Sequence, residues 1–168
     1  VGLISCDNTI ELNAPYKEIG VIYGIVDPSL DTQVVWIQKA YLGEGNALVM
    51  AQNSDSVYYP DGVLDVKMFH YMNGVKTDSF PLTRFIGDPK PSGIFPSAPN
   101  VLFRNDGQKI VTDSTLPGGA SIISEYEIVI KNLLTGNVFS SRTPVVDDIS
   151  IQRPNTSEQI RWASQYPV

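Results

Sequence analysis

From Ser121 to Lys131 the chain alternates with a period of two. Ile122, Tyr126, Ile128 and Ile130 fall on one side, and Glu125, Glu127 and Lys131 on the other. Successive side chains of a strand point to opposite faces, so this spacing marks an extended strand with one face buried and one in water. An element of that kind is stable only when a second layer covers its apolar face. The chain is therefore expected to be all-β and two-layered.

Other segments fit the same plan. Ile19 to Val26 and Gln33 to Leu42 are rich in β-branched and aromatic residues and flank a turn, Asp27-Pro28-Ser29-Leu30-Asp31-Thr32, which predicts a strand pair. On the first run Val21, Tyr23 and Ile25 share a face. Ile22 and Val26 share the other with Gly20 and Gly24, which points to a close neighbour there. On the second run Val34, Trp36, Ala40 and Leu42 oppose Val35, Ile37 and Tyr41. Both faces are largely apolar, so this pair is expected at the centre of the domain.

Val63 to Met72 and Val75 to Phe80 flank Asn73-Gly74, the preferred dipeptide of a two-residue type I′ hairpin. That loop sets Met72 opposite Val75 and Tyr71 opposite Lys76, and it puts Leu64, Val66, Met68, His70 and Met72 on one face. Val101 to Arg104 and Lys109 to Thr112, separated by Asn105-Asp106-Gly107, predict a smaller second hairpin. Ala47 to Gln52, with Asn46 as N-cap, is the one short helix expected. Residues 81 to 99 hold five prolines and no usable period, and are expected to form a long irregular loop.

With 168 residues, 42% of them hydrophobic, the chain has enough apolar surface for one domain with a real core. Its formal charge of −6 gives no electrostatic footprint for a phosphate backbone, which argues against a nucleic-acid partner. The single cysteine, Cys6, excludes a disulfide framework within one chain, and it makes a Cys/His site only if it meets His70, the single histidine. No nucleophile elbow, phosphate loop or dinucleotide fingerprint is present. Asp55, Asp61, Asp65, Asp147 and Asp148 could supply a glycosidase pair, but no spacing selects two of them. Asp27 with Asp31, and Asp147 with Asp148, lack the spacing of a calcium loop. No catalytic residue, metal or cofactor is expected. His70, on an apolar strand face, reads as a core histidine with its hydrogen bonds satisfied. Tyr58, Tyr59, Phe85 and Phe95 fall in segments expected at the sheet ends. Two readings stay open for them: exposed platforms for sugar rings or protein partners, or caps on the core beneath long loops.

The Leu116-Pro117-Gly118 approach, the Tyr126-Glu127-Ile128-Val129-Ile130 run and the turn Leu134-Thr135-Gly136-Asn137 resemble the last two strands of immunoglobulin-like and fibronectin type III domains. The resemblance implies an antiparallel β-sandwich, immunoglobulin-like or alternatively transthyretin-like. It casts Tyr126 as the residue that buries its ring and bonds its hydroxyl back to the upstream loop. The Cys-Trp-Cys core of antibody domains is absent.

Leu3-Ile4-Ser5-Cys6 resembles the bacterial lipobox, which implies a lipid anchor on Cys6. Each acyl CH₂ buried in the leaflet would contribute ~0.8 kcal/mol. On this reading residues 1–6 end a signal peptide, 7–18 form a tether, 19–145 the sandwich, and 146–168 a linker or the start of a second β domain. With Ala14-Pro15-Tyr16-Lys17, Tyr41 to Ala47 and Met50-Ala51-Gln52 added, the chain resembles outer-membrane lipoproteins of the Bacteroidota. That implies a non-enzymatic module, lipid-anchored at the bacterial outer membrane, that binds another envelope protein or a polysaccharide. A fimbrillin-like subunit assembling by strand exchange is the alternative, and a glycoside-processing enzyme the third reading.

Overall fold

A computed structural model of the protein describes residues 17–40, 46–105, 107, 109–112, 114–115 and 121–145. Cys6, the tether up to residue 16 and the segment after 145 lie outside the described residues, as do the Leu116-Pro117-Gly118 approach and the end of the expected second strand.

Two antiparallel four-stranded sheets carry the fold. One holds β1 (Gly20–Gly24), β2 (Val34–Lys39), β6 (Asn100–Arg104) and β5 (Thr83–Gly87), in that order. The other runs β10 (Val138–Pro144), β9 (Ser124–Asn132), β3 (Leu64–Met72) and β4 (Val75–Pro81). A minor pair, β7 (Ser114–Thr115) with β8 (Ser121–Ile122), precedes β9. The strand order is that of the immunoglobulin sandwich, A-B-E-D against C-F-G, with β4 added beside the C-equivalent β3.

The inward positions of the alternating strands meet between the sheets. Val35, Ile37, Val101 and Phe103 face Val66, Met68, Phe80, Tyr126 and Ile130 in one buried cluster. The β3–β4 hairpin forms as its turn dipeptide dictates. Asn73 and Gly74 take φ of 48° and 80°, the left-handed values a type I′ turn needs, and Met72 pairs with Val75 and Tyr71 with Lys76. The Asn73 side chain also accepts from the Ile123 N–H at 2.9 Å, tying the turn to the strand beyond it.

Several expectations are corrected. The β1–β2 pair is not central: β1 is an edge strand and only β2 lies inside its sheet. The apolar residues on its outer face are open to solvent, so two-sided hydrophobicity here marks an exposed stripe. The close neighbours of its glycines do exist, since a Cβ at Gly20 would stand 3.3 Å from the Phe139 ring and one at Gly24 3.1 Å from Val35. Residues 81–99 are not loop throughout, because Thr83–Gly87 pairs with β6 as the edge strand β5. Val101 to Arg104 and Lys109 to Thr112 are not a hairpin. The first run belongs to β6, held between β2 and β5, and the second is not a strand. Among the described residues two helices occur rather than one. α1 (Ala47–Met50) carries the expected Asn46 cap, and α2 (Ser54–Val57) is capped by Asn53, which accepts from the Asp55 N–H at 3.0 Å.

Candidate functional site

A sandwich of this kind offers its ends, its edges and its two outer faces. The two outer faces differ in how their aromatic rings are treated. On the β10-β9-β3-β4 sheet the Lys76 ammonium lies 3.6 Å from the centroid of Phe69, and the Arg142 guanidinium 3.7 Å from that of Tyr71. The Tyr71 hydroxyl donates to Glu127 at 2.6 Å, and this bond holds the phenol above its ordinary pKa. Arg142 also bonds Glu125. Cation–π contacts of this kind engage these two rings from within the chain, as the Arg104 guanidinium engages Phe85 on the other sheet.

On the β1-β2-β6-β5 sheet, Tyr23 on β1 stands opposite Trp36 on β2, their ring centroids 6.0 Å apart and tilted by 53°. Tyr23 is 63% exposed, while Trp36 is half-buried. The Trp36 indole N–H donates to Asn100 Oδ1 at 3.3 Å, and the buried Asn100 amide donates in turn to the Asp88 carbonyl at 2.9 Å. The indole is thereby held in one orientation.

Beside the pair lies a groove of about 270 Å³ walled by Tyr23, Ile25, Asp27, Leu30, Thr32 and Trp36. Its far wall is the β1–β2 loop, and buried Gln33 shapes that loop. The Gln33 amide accepts from the Asp27 N–H at 2.7 Å and donates to the Asp27 and Leu30 carbonyls at 2.7 and 3.0 Å. The Gln33 backbone N–H is fixed by Asn105 Oδ1. Asp27 accepts from the backbone and hydroxyl of Ser29, and those bonds lower its pKa. An oriented indole and an exposed phenol beside a groove with polar groups on a hydrogen-bonded loop can stack a flat apolar surface and hydrogen-bond its substituents. Comparison with protein-family models, with curated proteins and with solved structures finds no match.

The four aromatic residues singled out from sequence separate. Tyr58 and Tyr59 are 4% and 7% exposed and belong to the core, reaching the surface only in the wall of a recess of about 150 Å³. The reason is α2, which turns the chain inward so that Val57, Tyr58 and Tyr59 are buried in succession. Lys90 donates to the Tyr58 hydroxyl at 2.9 Å. Phe95 is exposed in a shallow recess with Ile94 and Gln52, away from the other aromatics. Phe85 sits on β5, opposite Leu102, on the same outer face as Tyr23 and Trp36, with the Arg104 guanidinium 4.8 Å from its ring centroid. The sequence reading missed Tyr23 and Trp36 as a site because it placed β1 centrally. The one signal was Tyr23 on a face it shares with Val21 and Ile25, opposite the two glycines.

His70 does have a serine beside it. Its Nε2 stands 2.8 Å from Ser124 Oγ, but that hydroxyl donates to the Val111 carbonyl at 2.6 Å. The proton of this pair is therefore on Nε2, and the ring donates to the serine instead of activating it. Ser124 is fully buried, which leaves no access for a substrate. Of the carboxylates, Asp65 is paired with Lys67 at 2.8 Å and Asp61 faces Arg84 at 3.7 Å, while Asp147 and Asp148 lie outside the described residues. Among the described residues no group of three or more His, Cys, Asp or Glu side chains is placed to hold a metal ion, and no helix is long and apolar enough to cross a membrane.

Proposed function

We propose that the protein is a non-enzymatic binding module of the bacterial cell envelope, anchored to the outer membrane through lipid on Cys6, that holds a glycan against Tyr23 and Trp36. One observation carries the reading: the largely exposed Tyr23 ring and the half-buried Trp36 beside it wall a groove, whereas Phe69 and Tyr71 on the opposite face lie under the chain's own cations. A sugar ring presents an apolar C–H face and a rim of hydroxyls. The aromatic pair suits the former, and Asp27, Thr32 and the loop carbonyls suit the latter.

The test is electrophoresis through native gels cast with a panel of bacterial and host polysaccharides. The protein is expected to be retarded by at least one of them. Tyr23→Ala is expected to weaken binding about tenfold, equivalent to about 1.4 kcal/mol, with the fold retained because the side chain is largely exposed on its own chain. Free migration on every polysaccharide, or equal retardation of Tyr23→Ala, would sink the proposal.

A further inference from the structure

Three of the four sheet edges carry the features that keep strands from pairing with other chains. β4 has Lys76, Asp78 and Pro81, β10 has Arg142 and Pro144, and β5 is short and holds Arg84. Charges, prolines and shortness are the usual protections of an exposed strand. β1 is as short as β5, at five residues each, but carries neither a charge nor a proline. From Ile19 to Val26 there is no charge and no proline, and Ile19, Val21, Tyr23 and Ile25 are 49%, 48%, 63% and 70% exposed. Among the described residues no strand lies beside its outer edge.

The sequence of this edge is its own complement. Ile19-Gly20-Val21-Ile22-Tyr23-Gly24-Ile25 reads nearly the same in both directions about Ile22, with only Val21 and Tyr23 exchanged. An isologous two-fold contact pairs residue i with j and j with i, so about Ile22 this sequence sets glycine opposite glycine and isoleucine opposite isoleucine. The backbone parity agrees with it. The Ala40 N–H donates to the Ile19 carbonyl, and β1 runs in unbroken register against β2. Odd-numbered residues of β1 thus turn their N–H and C=O groups toward β2, and Gly20, Ile22 and Gly24 turn theirs to the open edge.

We infer that β1 pairs antiparallel with β1 of a second copy of this chain, across a two-fold axis at Ile22. Ile22 then meets the partner's Ile22, and Gly20 the partner's Gly24, as hydrogen-bonded pairs. Val21 meets the partner's Tyr23 as a non-hydrogen-bonded pair, where side chains approach most closely and an aromatic–β-branched contact is favourable. Beyond the strand ends the same register sets Lys17 opposite the partner's Asp27. Lys17 is exposed, and the Asp27 bonds to Ser29 both fall on Oδ1, leaving Oδ2 for the ammonium. The uncharged strand pair is therefore bracketed by opposite charges, which fixes its register and lets a chain of charge −6 approach its copy. The pairing joins two four-stranded sheets into one and brings the two Tyr23–Trp36 faces side by side.

Sedimentation equilibrium over a dilution series tests this. The chain is expected to weigh as a dimer that dissociates on dilution. Val21→Lys with Tyr23→Lys, which sets like charges opposite one another at exposed positions, is expected to weigh as a folded monomer throughout. Register is read in a Cys6→Ser background. Val21→Cys with Tyr23→Cys is expected to oxidise to a reducible dimer, because non-hydrogen-bonded pairs bring Cα atoms to about 4.5 Å, within disulfide range. Val21→Cys alone, whose nearest partner thiol lies a further strand step away, is expected not to. A wild-type monomer at every concentration, a dimer that survives both lysines, or a double-cysteine chain that does not cross-link would overturn the proposal.

Discussion

Tyr126, His70 and Ser124 form a single buried knot at the head of β9. The Tyr126 hydroxyl accepts from the Val111 N–H at 2.8 Å, fifteen residues upstream, and the ring stacks on His70 with centroids 4.7 Å apart and 12° between planes. The expected role of Tyr126 is thus realised, and burial holds its phenol above the ordinary pKa despite the Val111 bond. Thr77 Oγ1 lies 3.2 Å from His70 Nδ1, so both ring nitrogens have partners. Burial lowers the His70 pKa from its usual 6.5, opposed by the charge of Asp78. Between 6.5 and the lowered value the unfolded chain binds the proton and the folded chain does not, so stability rises with pH across that window. Unfolding by urea is expected to show full stability above about 6.5 and a loss as pH falls below it. His70→Gln, which keeps a donor for Ser124 but cannot titrate, is expected to flatten that limb; an unchanged slope would mean His70 does not set it. A second acid limb belongs to Glu18. Desolvation raises its pKa but is outweighed by bonds from Asn132 at 2.6 Å, Thr135 at 2.7 Å and Asn137 at 2.6 Å, leaving it below 4.5. That contribution fades only at lower pH, so the two limbs separate along the pH axis.

Among the elements, the β3–β4 hairpin rests on two residues of positive φ. Gly74 at 80° has open space where a Cβ would go, so Gly74→Ala introduces backbone strain and no clash. It is expected to destabilise by about 1 kcal/mol, read as a lower urea midpoint at unchanged m-value. A neutral result would mean that the turn does not set the register. The turn of this hairpin was legible in the sequence because its signal is local, a dipeptide with special φ needs flanked by period two, whereas the register shift at Thr77, where His70 pairs with Asp78 and Tyr71 with Lys76, was not. β9 was legible for the same reason. β5 was not, since Thr83-Arg84-Phe85-Ile86-Gly87 lies among prolines and gains its ladder only from β6. The status of β1 was illegible too. Alternation shows which residues share a face but not whether a neighbour covers that face, and the candidate site depends on β1 being an edge. Asn100 and Gln33, which orient Trp36 and the groove loop, act through partners 64 residues away and through loop carbonyls. No local pattern announces them.

At the scale of the whole molecule, the chain passes from one sheet to the other between β4 and β5 through a single residue. β4 ends at Pro81 and β5 begins at Thr83 in the other sheet. Leu82 between them still donates its N–H to the Val66 carbonyl of β3 at 2.9 Å, and its side chain is buried in the core between the layers. Its backbone thus completes one sheet while its side chain fills the seam with the other. Leu82→Ala leaves a cavity at that seam, and substitutions of this kind cost about 2–5 kcal/mol. At about 2–4 °C per kcal/mol for a chain of this size, the melting temperature is expected to fall by roughly 4–20 °C. The shape of the transition decides more than its position. If the sandwich is one cooperative unit, calorimetric and van't Hoff enthalpies remain equal in the variant. If the sheets can unfold separately, weakening the seam splits the transition in two. A single sharp transition at lower temperature is expected, because Tyr126 and Ile130 of one sheet share a buried cluster with Ile37 and Phe103 of the other. Neither layer can keep its inner face dry alone. The same cooperativity holds the Tyr23–Trp36 face rigid, since β2 presents Trp36 outward only while Val35 and Ile37 stay anchored inward.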